Sequence, residues 1–356
     1  MLILHQMSGK KEVTIYDIAE RLNLSASTVS RGLRNHPAIR KKTISRIQAM
    51  AQELNYQQNT FASSLRSNRS NTIGVILPRF ESSFLSSVVS SIEKVVRGKG
   101  YNLLLSQSFD SNKLEKENLE THFNNRVEGL LINLTPETTD LNHLDLFLKK
   151  GIPVVLFDRV ISRPGCGCIT VSIDNRQAGY DVTSHLISQG CKRIAYLGEN
   201  TSCSVFGERA RGYREALADH GALADPEMVI LDHLDTDTGA RVVERILKMK
   251  NRPDGIFAGN DMAAASLMYE LKQRGVAIPG EIAFAGFNNS YLSQVIEPAL
   301  TSVIYPGVEM GQTAANSLME ILDHENPVVI RNIILRHELI VRESSLKTHR
   351  FEGVLR

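Results

Sequence analysis

VTIYDIAERLNLSASTVSRGLRN, residues 13–35, has the pattern of two short helices joined by a tight turn. Thr14 and Asp17 have the spacing of a capping box at the start of the first helix. Asn23 ends that helix, where a left-handed residue is needed and asparagine is one of the few side chains that tolerates it. Ser25 then stands where the N-cap of a second helix is expected. The stretch therefore predicts a helix-turn-helix.

Apolar residues with helical spacing give these helices a common core. A third helix, predicted over Thr43–Asn55 and ended by Tyr56, completes a three-helix, all-α domain. The predicted inward residues are Ile15, Ile18, Ala19 and Leu22 of the first helix, Val29 and Leu33 of the second, and Ile44, Ile47, Met50, Ala51 and Leu54 of the third.

The second helix presents short polar side chains and one long donor on its outward surface. Hydroxyl groups beside backbone N–H groups suit phosphate oxygens, and Arg31, which we interpret as the only long base-reading side chain, suits guanine O6 and N7. The residues of this surface are Ser25, Ala26, Ser27, Thr28, Ser30 and Arg31. The alternative interpretation is an ordinary capped surface helix.

Charge separates this head from the rest of the chain. Residues 1–70 carry 11 lysines and arginines against 4 acidic residues, whereas the remainder carries 30 basic and 35 acidic residues. A basic head on an acidic body is typical of a polyanion-binding module attached to a second functional unit.

From Thr72 onward, apolar strand-like runs alternate with amphipathic helical segments. Such alternation predicts parallel sheets covered by helices on both faces, and its length favours two α/β lobes. The predicted strands are TIGVILP, YNLLLSQS, VEGLLINL, IPVVLFD, ITVSID, RIAYLGE, MVILD, DGIFAGND, IAFAGFN, ALTSVIY and NIILRHELIV.

Polar side chains follow three of the predicted strands. Asp158 follows IPVVLF, Asn260-Asp261 follows GIFAG, and Asn288-Asn289 follows IAFAGF. Ligands of open parallel sheets bind beyond the carboxyl ends of the strands, and amide and carboxylate groups there suit a polyol. Each residue alone is more often a turn residue at a strand end than a ligand contact, and it is their shared position that favours a binding site.

The stretch at residues 13–35, followed by ELNY, ASSL and NTIGVI, resembles the lactose/galactose repressor family of bacterial transcription regulators, and the similarity runs over essentially the whole chain. The resemblance implies a helix-turn-helix DNA-binding domain at 12–58 and a hinge helix or linker at 59–71. It implies an effector-binding and dimerisation core at 72–345. This core has two parallel-sheet lobes like those of a periplasmic binding protein, with crossovers near residues 171, 302 and 332.

The resemblance also assigns the DNA contacts. Ala26, Ser27 and Arg31 would read bases, and Leu65 of the hinge would wedge into the minor groove. The remaining DNA-binding residues would be Thr14, Tyr16, Ser25, Thr28, Ser30, Thr43, Tyr56, Asn59 and Ala62. Gln58 replaces a proline that is common in the family, and Ser63 replaces a longer polar residue, so we expect a less preorganised hinge.

In the core the resemblance places six residues in a cleft between the lobes: Phe84, Asp158, Arg209, Asn260, Asn288 and Tyr305. The family commonly has Asp-Asp where this chain has Asn288-Asn289, so the effector need not be a simple hexose. We expect a carbohydrate or derivative, with sugars, sugar phosphates and purines as the classes to test.

The sequence therefore predicts a homodimeric, effector-controlled repressor that binds a near-palindromic operator. It contains no phosphate loop, G-x-S-x-G or H-E-x-x-H motif, so we expect neither enzyme activity nor a cofactor or metal. The four cysteines fit reduced thiols of a cytoplasmic protein, with Cys166 and Cys168 as an alternative metal or redox pair. No segment predicts a membrane span or a secretory signal. The competing hypotheses are a cytosolic small-molecule-binding protein without a DNA role and an α/β enzyme acting on a sugar or nucleotide.

Overall fold

The computed structural model describes residues 13–56, 70–80, 82–161, 167–199, 204–323 and 331–347. The chain divides into two compact units, residues 1–69 and residues 70–356.

The first unit contains three helices, α1 (Ile15–Leu22), α2 (Ala26–Leu33) and α3 (Lys41–Glu53). They enclose a small core of residues that the sequence had placed inward: Ile18, Ala19, Val29, Ile47 and Ala51. The prediction that α3 begins at Thr43 and runs to Asn55 is wrong by two residues at each end. Arg40 is the N-cap and makes no side-chain capping bond, so no capping residue marks this start in the sequence.

The second unit contains two six-stranded sheets. Lobe 1 is built on the strand order β11-β5-β4-β3-β1-β2, and lobe 2 on β12-β10-β9-β8-β6-β7. The strands are β1 (Thr72–Leu77), β2 (Asn102–Gln107), β3 (Gly129–Ile132), β4 (Val154–Phe157), β5 (Ile169–Ile173), β6 (Ile194–Gly198), β7 (Val229–Leu231), β8 (Gly255–Ala258), β9 (Ala283–Asn288), β10 (Thr301–Ile304), β11 (Asn332–Leu335) and β12 (Glu338–Ile340).

Helices lie against the sheets of both lobes, and the central strands β3, β4 and β8 are fully buried. The helices of this unit are α4 (Ser83–Gly98), α5 (Asn112–Asn124), α6 (Asp145–Lys149), α7 (Asn175–Ser188), α8 (Ser204–Asp219), α9 (Thr238–Lys248), α10 (Asp261–Gln273), α11 (Tyr291–Val295) and α12 (Gly307–Asp323). The fold is thus an all-α head followed by an α/β core with two lobes, as predicted.

The chain passes between the lobes three times, after β5, after β10 and after β11. The residues expected near these crossovers, Val171, Ser302 and Asn332, lie in the strands that immediately precede them. The single predicted strand NIILRHELIV is wrong: it divides into β11 in lobe 1 and β12 in lobe 2. The expectation of wholly parallel sheets also needs correction, because β12 pairs antiparallel with β10.

Candidate functional site

The turn between α1 and α2 is fixed by hydrogen bonds within the predicted motif. The backbone N–H and the hydroxyl of Thr14 both donate to the Asp17 carboxylate at 2.6 Å. Asn23 has a φ of 53°, in the left-handed region, and lets the Leu24 N–H donate to the Ala19 carbonyl at 2.9 Å. The two helices therefore meet as the sequence predicted.

Three hydroxyl groups gather at the N-terminus of α2. The Ser25 hydroxyl caps the helix by accepting from the Thr28 backbone N–H at 3.2 Å. It also lies 3.1 Å from the Ser27 hydroxyl and 2.8 Å from the Thr28 hydroxyl. Neutral hydroxyls at the positive end of a helix form a surface suited to an anion such as a phosphate oxygen.

A groove of about 580 Å³ runs along the outward face of α2. Five of the predicted DNA-binding residues line it: Tyr16, Ala26, Ser27, Ser30 and Arg31. Ile15, Arg34 and His36 complete the lining. Arg31 is therefore not the only long donor of this surface, because the guanidinium of Arg34 borders the same groove. That Arg31 is the only long base-reading side chain stays a prediction.

The other predicted DNA-binding residues that the structure describes do not line the groove. Thr14 lies at the N-cap of α1, Thr43 is half-buried in the first turn of α3, and half-buried Tyr56 follows α3. Asn59, Ala62 and Leu65 lie outside the described residues.

In the second unit, Asp158 follows β4 at the carboxyl edge of lobe 1. It adopts a left-handed φ of 61° and is almost fully buried. One carboxylate oxygen accepts from the Asn133 amide at 2.9 Å, and the other accepts from the Tyr305 hydroxyl. Tyr305 follows β10 at the second crossover, so this carboxylate ties the crossover to lobe 1.

Tyr305 also holds two aromatic neighbours. Its ring stacks on Phe84 of α4 with centroids 4.3 Å apart and meets Phe287 of β9 edge-on at 5.8 Å. Burial raises the pKa of the Tyr305 hydroxyl well above its usual value, so this group is a hydrogen-bond donor at neutral pH.

Arg209 of α8 lies in the same cluster with 2% of its surface exposed. Its Nε donates to Asn175 at 2.9 Å, one terminal nitrogen donates to the Gly259 carbonyl at 2.8 Å, and its guanidinium carbon lies 3.4 Å from the Phe287 ring centroid. A side chain at Gly179 of α7 would clash with the Arg209 carbonyl, so this glycine allows α8 to lie close enough. Burial lowers the pKa of Arg209.

The two remaining predicted residues differ in what the fold demands of them. Asn260 caps α10 by accepting from the Ala263 N–H at 2.8 Å and donates to the Leu234 carbonyl at 3.1 Å. Asn288 has a strained φ of 105°, and its side chain forms no hydrogen bond to another described residue. A strained residue with an unused amide is the better candidate for a ligand contact.

The structure thus brings Phe84, Asp158, Arg209 and Tyr305 into one cluster. Sequence reasoning missed its other members, Asn133, Asn175 and Phe287. Asn133 follows β3 as Asp158 follows β4, so the strand-end rule could have found it. Asn175 stands two residues after β5, so the same rule could have found it, whereas the sequence carried no such signal for Phe287.

Within the described parts of the chain, no helix is long and apolar enough to cross a membrane. The same residues contain no group of three histidine, cysteine or acidic side chains arranged for a metal. Cys168 is buried, while its proposed partner Cys166 lies outside the described residues.

Two family models match the chain. The model for bacterial regulatory proteins of the lacI family matches residues 14–59, and the model for periplasmic binding proteins and the sugar binding domain of the LacI family matches residues 70–343. The NTD biosynthesis operon regulator NtdR of Bacillus subtilis (strain 168) is 30% identical over 332 residues, covering 93% of this chain and 99% of that protein. Catabolite control protein A of Priestia megaterium is 29% identical over 338 residues, covering 94% and 99%.

A solved structure of the lac repressor dimer, bound to operator and an anti-inducer, has a similar fold. Its TM-score is 0.84 at 22% identity, covering 94% of this chain and all of that one.

Proposed function

Because the chain belongs to the LacI family of bacterial regulatory proteins, we propose that it is a transcription regulator, acting as a repressor, that binds a specific DNA operator under the control of a small effector. It is a DNA-binding regulator and not an enzyme. The observation that carries the proposal is the groove along α2, where two exposed arginines and three exposed or half-exposed short side chains face outward together.

On operator DNA, α2 would enter the major groove. Ala26 and Ser27 would contact base edges because they lie at the N-terminal end of α2, which reaches the bases first, and the long side chain of Arg31 would reach them from the last turn of the helix. Phosphates would accept from the polar residues around these three: Thr14, Tyr16, Ser25, Thr28, Ser30, Thr43, Tyr56 and Asn59. The hinge, with Ala62 and the wedge Leu65, would lie in the minor groove of the operator centre.

The domain limits of the proposal are 12–58 for the reader, 59–71 for the hinge and 72–345 for the core. The core would bind the effector between its lobes, with contacts from Phe84, Asp158, Arg209, Asn260, Asn288 and Tyr305. A ring face, a guanidinium and carboxamides suit a carbohydrate or one of its derivatives. We place the protein in the cytoplasm, where its DNA would be.

Regulation would act through the crossovers. Tyr305 contacts Phe84 and Asp158 of lobe 1 and Phe287 of lobe 2. A ligand that changes these contacts would therefore change the position of one lobe relative to the other. In a homodimer on a near-palindromic site, that change would alter the spacing of the two hinges. Coupling of this kind is worth about 1–3 kcal/mol.

Two experiments test the proposal. The first selects an operator from a random duplex library. Arg31→Ala should then lose about 1–3 kcal/mol of operator binding free energy per half-site, while effector binding is unchanged. An Arg31→Ala variant that distinguishes operator from random duplex as well as wild type contradicts the assignment. A thermal-shift screen of sugars, sugar phosphates and purines identifies the effector, because binding to the folded state raises the unfolding temperature.

A further inference from the structure

The C-terminal end of α2 carries a second donor group that the predicted DNA contacts do not include. Arg34 is exposed, borders the groove and lies at helical spacing from Ser27, Ser30 and Arg31, on the same face of the helix. The cation also lies at the negative end of the helix dipole, where it is favoured. Arg34 is therefore favourable for the end of α2 and faces the surface that would bind DNA.

Ser30 holds Arg34 in place. The Arg34 Nε donates to the Ser30 carbonyl and its Nη2 donates to the Ser30 hydroxyl, both at 3.2 Å. The side chain of Arg31, in contrast, forms no hydrogen bond or ion pair to any residue that the structure describes. Because the Ser30 hydroxyl accepts from Arg34, its own proton remains available to a further acceptor. The pair therefore presents a fixed guanidinium beside a hydroxyl donor.

His36 adds a third donor whose tautomer the backbone determines. Its Nδ1 accepts from the Ala38 backbone N–H at 3.1 Å. An imidazole whose Nδ1 accepts a hydrogen bond carries its proton on Nε2 and is neutral. Since His36 is exposed and lines the groove, that Nε2–H is a donor at the same end of the helix.

The length of α2 decides which part of DNA these donors meet. From Ala26 to Arg34 the helix rises about 12 Å, and the major groove is about 12 Å wide. A helix that enters with its N-terminal residues at the base edges therefore has its C-terminal end at the phosphates that border the groove. The unpartnered side chain of Arg31, in the last turn of α2, can extend to base edges, whereas Arg34, which its hydrogen bonds hold against Ser30 at the end of the helix, meets a strand's phosphodiester backbone.

We propose that Arg34, held by Ser30, and the Nε2–H of His36 form a phosphate clamp that positions α2 in the major groove. This inference rests on the proposed DNA-binding function, but it assigns a backbone-positioning role that the base-reading residues do not have. The clamp contributes affinity on any sequence, and Arg31 contributes the preference for one sequence.

The test compares affinities for the selected operator and for a random duplex of equal length, each at several salt concentrations near pH 8. Arg34→Ala should weaken binding to both duplexes by a similar factor, roughly tenfold per half-site. It should also reduce the slope of log affinity against log salt by about one per half-site, because one phosphate contact is lost. Arg34→Lys keeps the charge, so it should keep the slope while losing part of the affinity.

His36→Ala separates the two parts of the clamp. It should weaken binding to both duplexes without changing the salt slope, because a neutral imidazole displaces no counterion. Arg21→Ala is the matched control: Arg21 is an exposed arginine in the last turn of α1 that does not line the groove. Its loss should change affinity and slope less than the loss of Arg34. Equal melting temperatures for all variants exclude misfolding.

The clamp is refuted if Arg34→Ala changes the preferred base at one operator position, which would make Arg34 a base reader. It is also refuted if Arg34→Ala behaves as Arg21→Ala does. These results differ from failure of the proposed function, which would appear in the wild-type protein as the absence of any selected operator.

Discussion

Replacing Tyr305 with phenylalanine removes one hydroxyl from the cluster between the lobes. The stacking of the ring on Phe84 and its edge contact with Phe287 remain, because they involve the ring and not the oxygen. The lost interaction is a buried hydrogen bond to the Asp158 carboxylate, and hydrogen bonds to charged groups contribute about 1.5–3 kcal/mol. We therefore expect Tyr305→Phe to lower the free energy of unfolding by about 2 kcal/mol.

Tyr213→Phe supplies the matched control. The Tyr213 hydroxyl is also buried but donates at 2.8 Å to a neutral acceptor, the Ile194 carbonyl. Its loss should cost about 1 kcal/mol. Urea unfolding of wild type and both variants measures the two losses of unfolding free energy, provided that the slope of free energy against urea concentration is the same for all three proteins. The reasoning is refuted if Tyr305→Phe destabilises the protein no more than Tyr213→Phe does.

Three further predictions concern other parts of the chain. Burial raises the pKa of Asp261 from 3.8 to about 6, so folding disfavours the ionised form of this carboxyl group. The free energy of unfolding should therefore be higher below pH 4, where Asp261 is protonated in both states, and should fall as the pH rises through 6. Asp261→Asn should therefore gain about 2 kcal/mol relative to wild type between pH 4 and pH 7 in urea unfolding, and a constant difference would contradict this. Asn288→Ala should weaken binding of the effector found by thermal shift, whereas Asn260→Ala should lower stability because the fold uses both ends of its amide. Calorimetry that shows unchanged effector affinity in Asn288→Ala removes that residue from the site. Leu65→Ala should weaken operator binding more than random-duplex binding at one salt concentration, because a wedge matters only where DNA is kinked; equal losses on the two duplexes exclude the wedge.

The head could be predicted in detail because its signals are local. Thr14, Asp17, Asn23 and Ser25 each form their contacts within a few residues of sequence, and the structure has all of them in the predicted roles. The start of α3 could not be predicted as well, because Arg40 caps it without a side-chain hydrogen bond. Arg34 could have been placed on the outward face of α2 from its spacing to Ser27, Ser30 and Arg31, but its hydrogen bonds to Ser30 depend on a rotamer that the sequence does not specify.

The core was predictable in its strands and less so in its connections. NIILRHELIV has no turn residue between β11 and β12, so nothing local indicates that the chain changes sheet there. The cluster around Tyr305 likewise depends on contacts that no local sequence signal indicates. Asn175 and Arg209 are 34 residues apart and meet because α7 and α8 pack closely, which no short motif encodes. Long-range packing therefore accounts for most of what the sequence left open.

The central claim is that one chain couples sequence-specific DNA binding to a small ligand. A fluorescence-anisotropy titration of the selected operator and of a random duplex, at one salt concentration and with and without the effector found by thermal shift, tests it most directly. We expect an affinity for operator at least about 10³-fold higher than for random duplex. We also expect the effector to change operator affinity by about 5- to 150-fold and random-duplex affinity much less. Equal affinity for the two duplexes, or an operator affinity that the effector leaves unchanged, would contradict it.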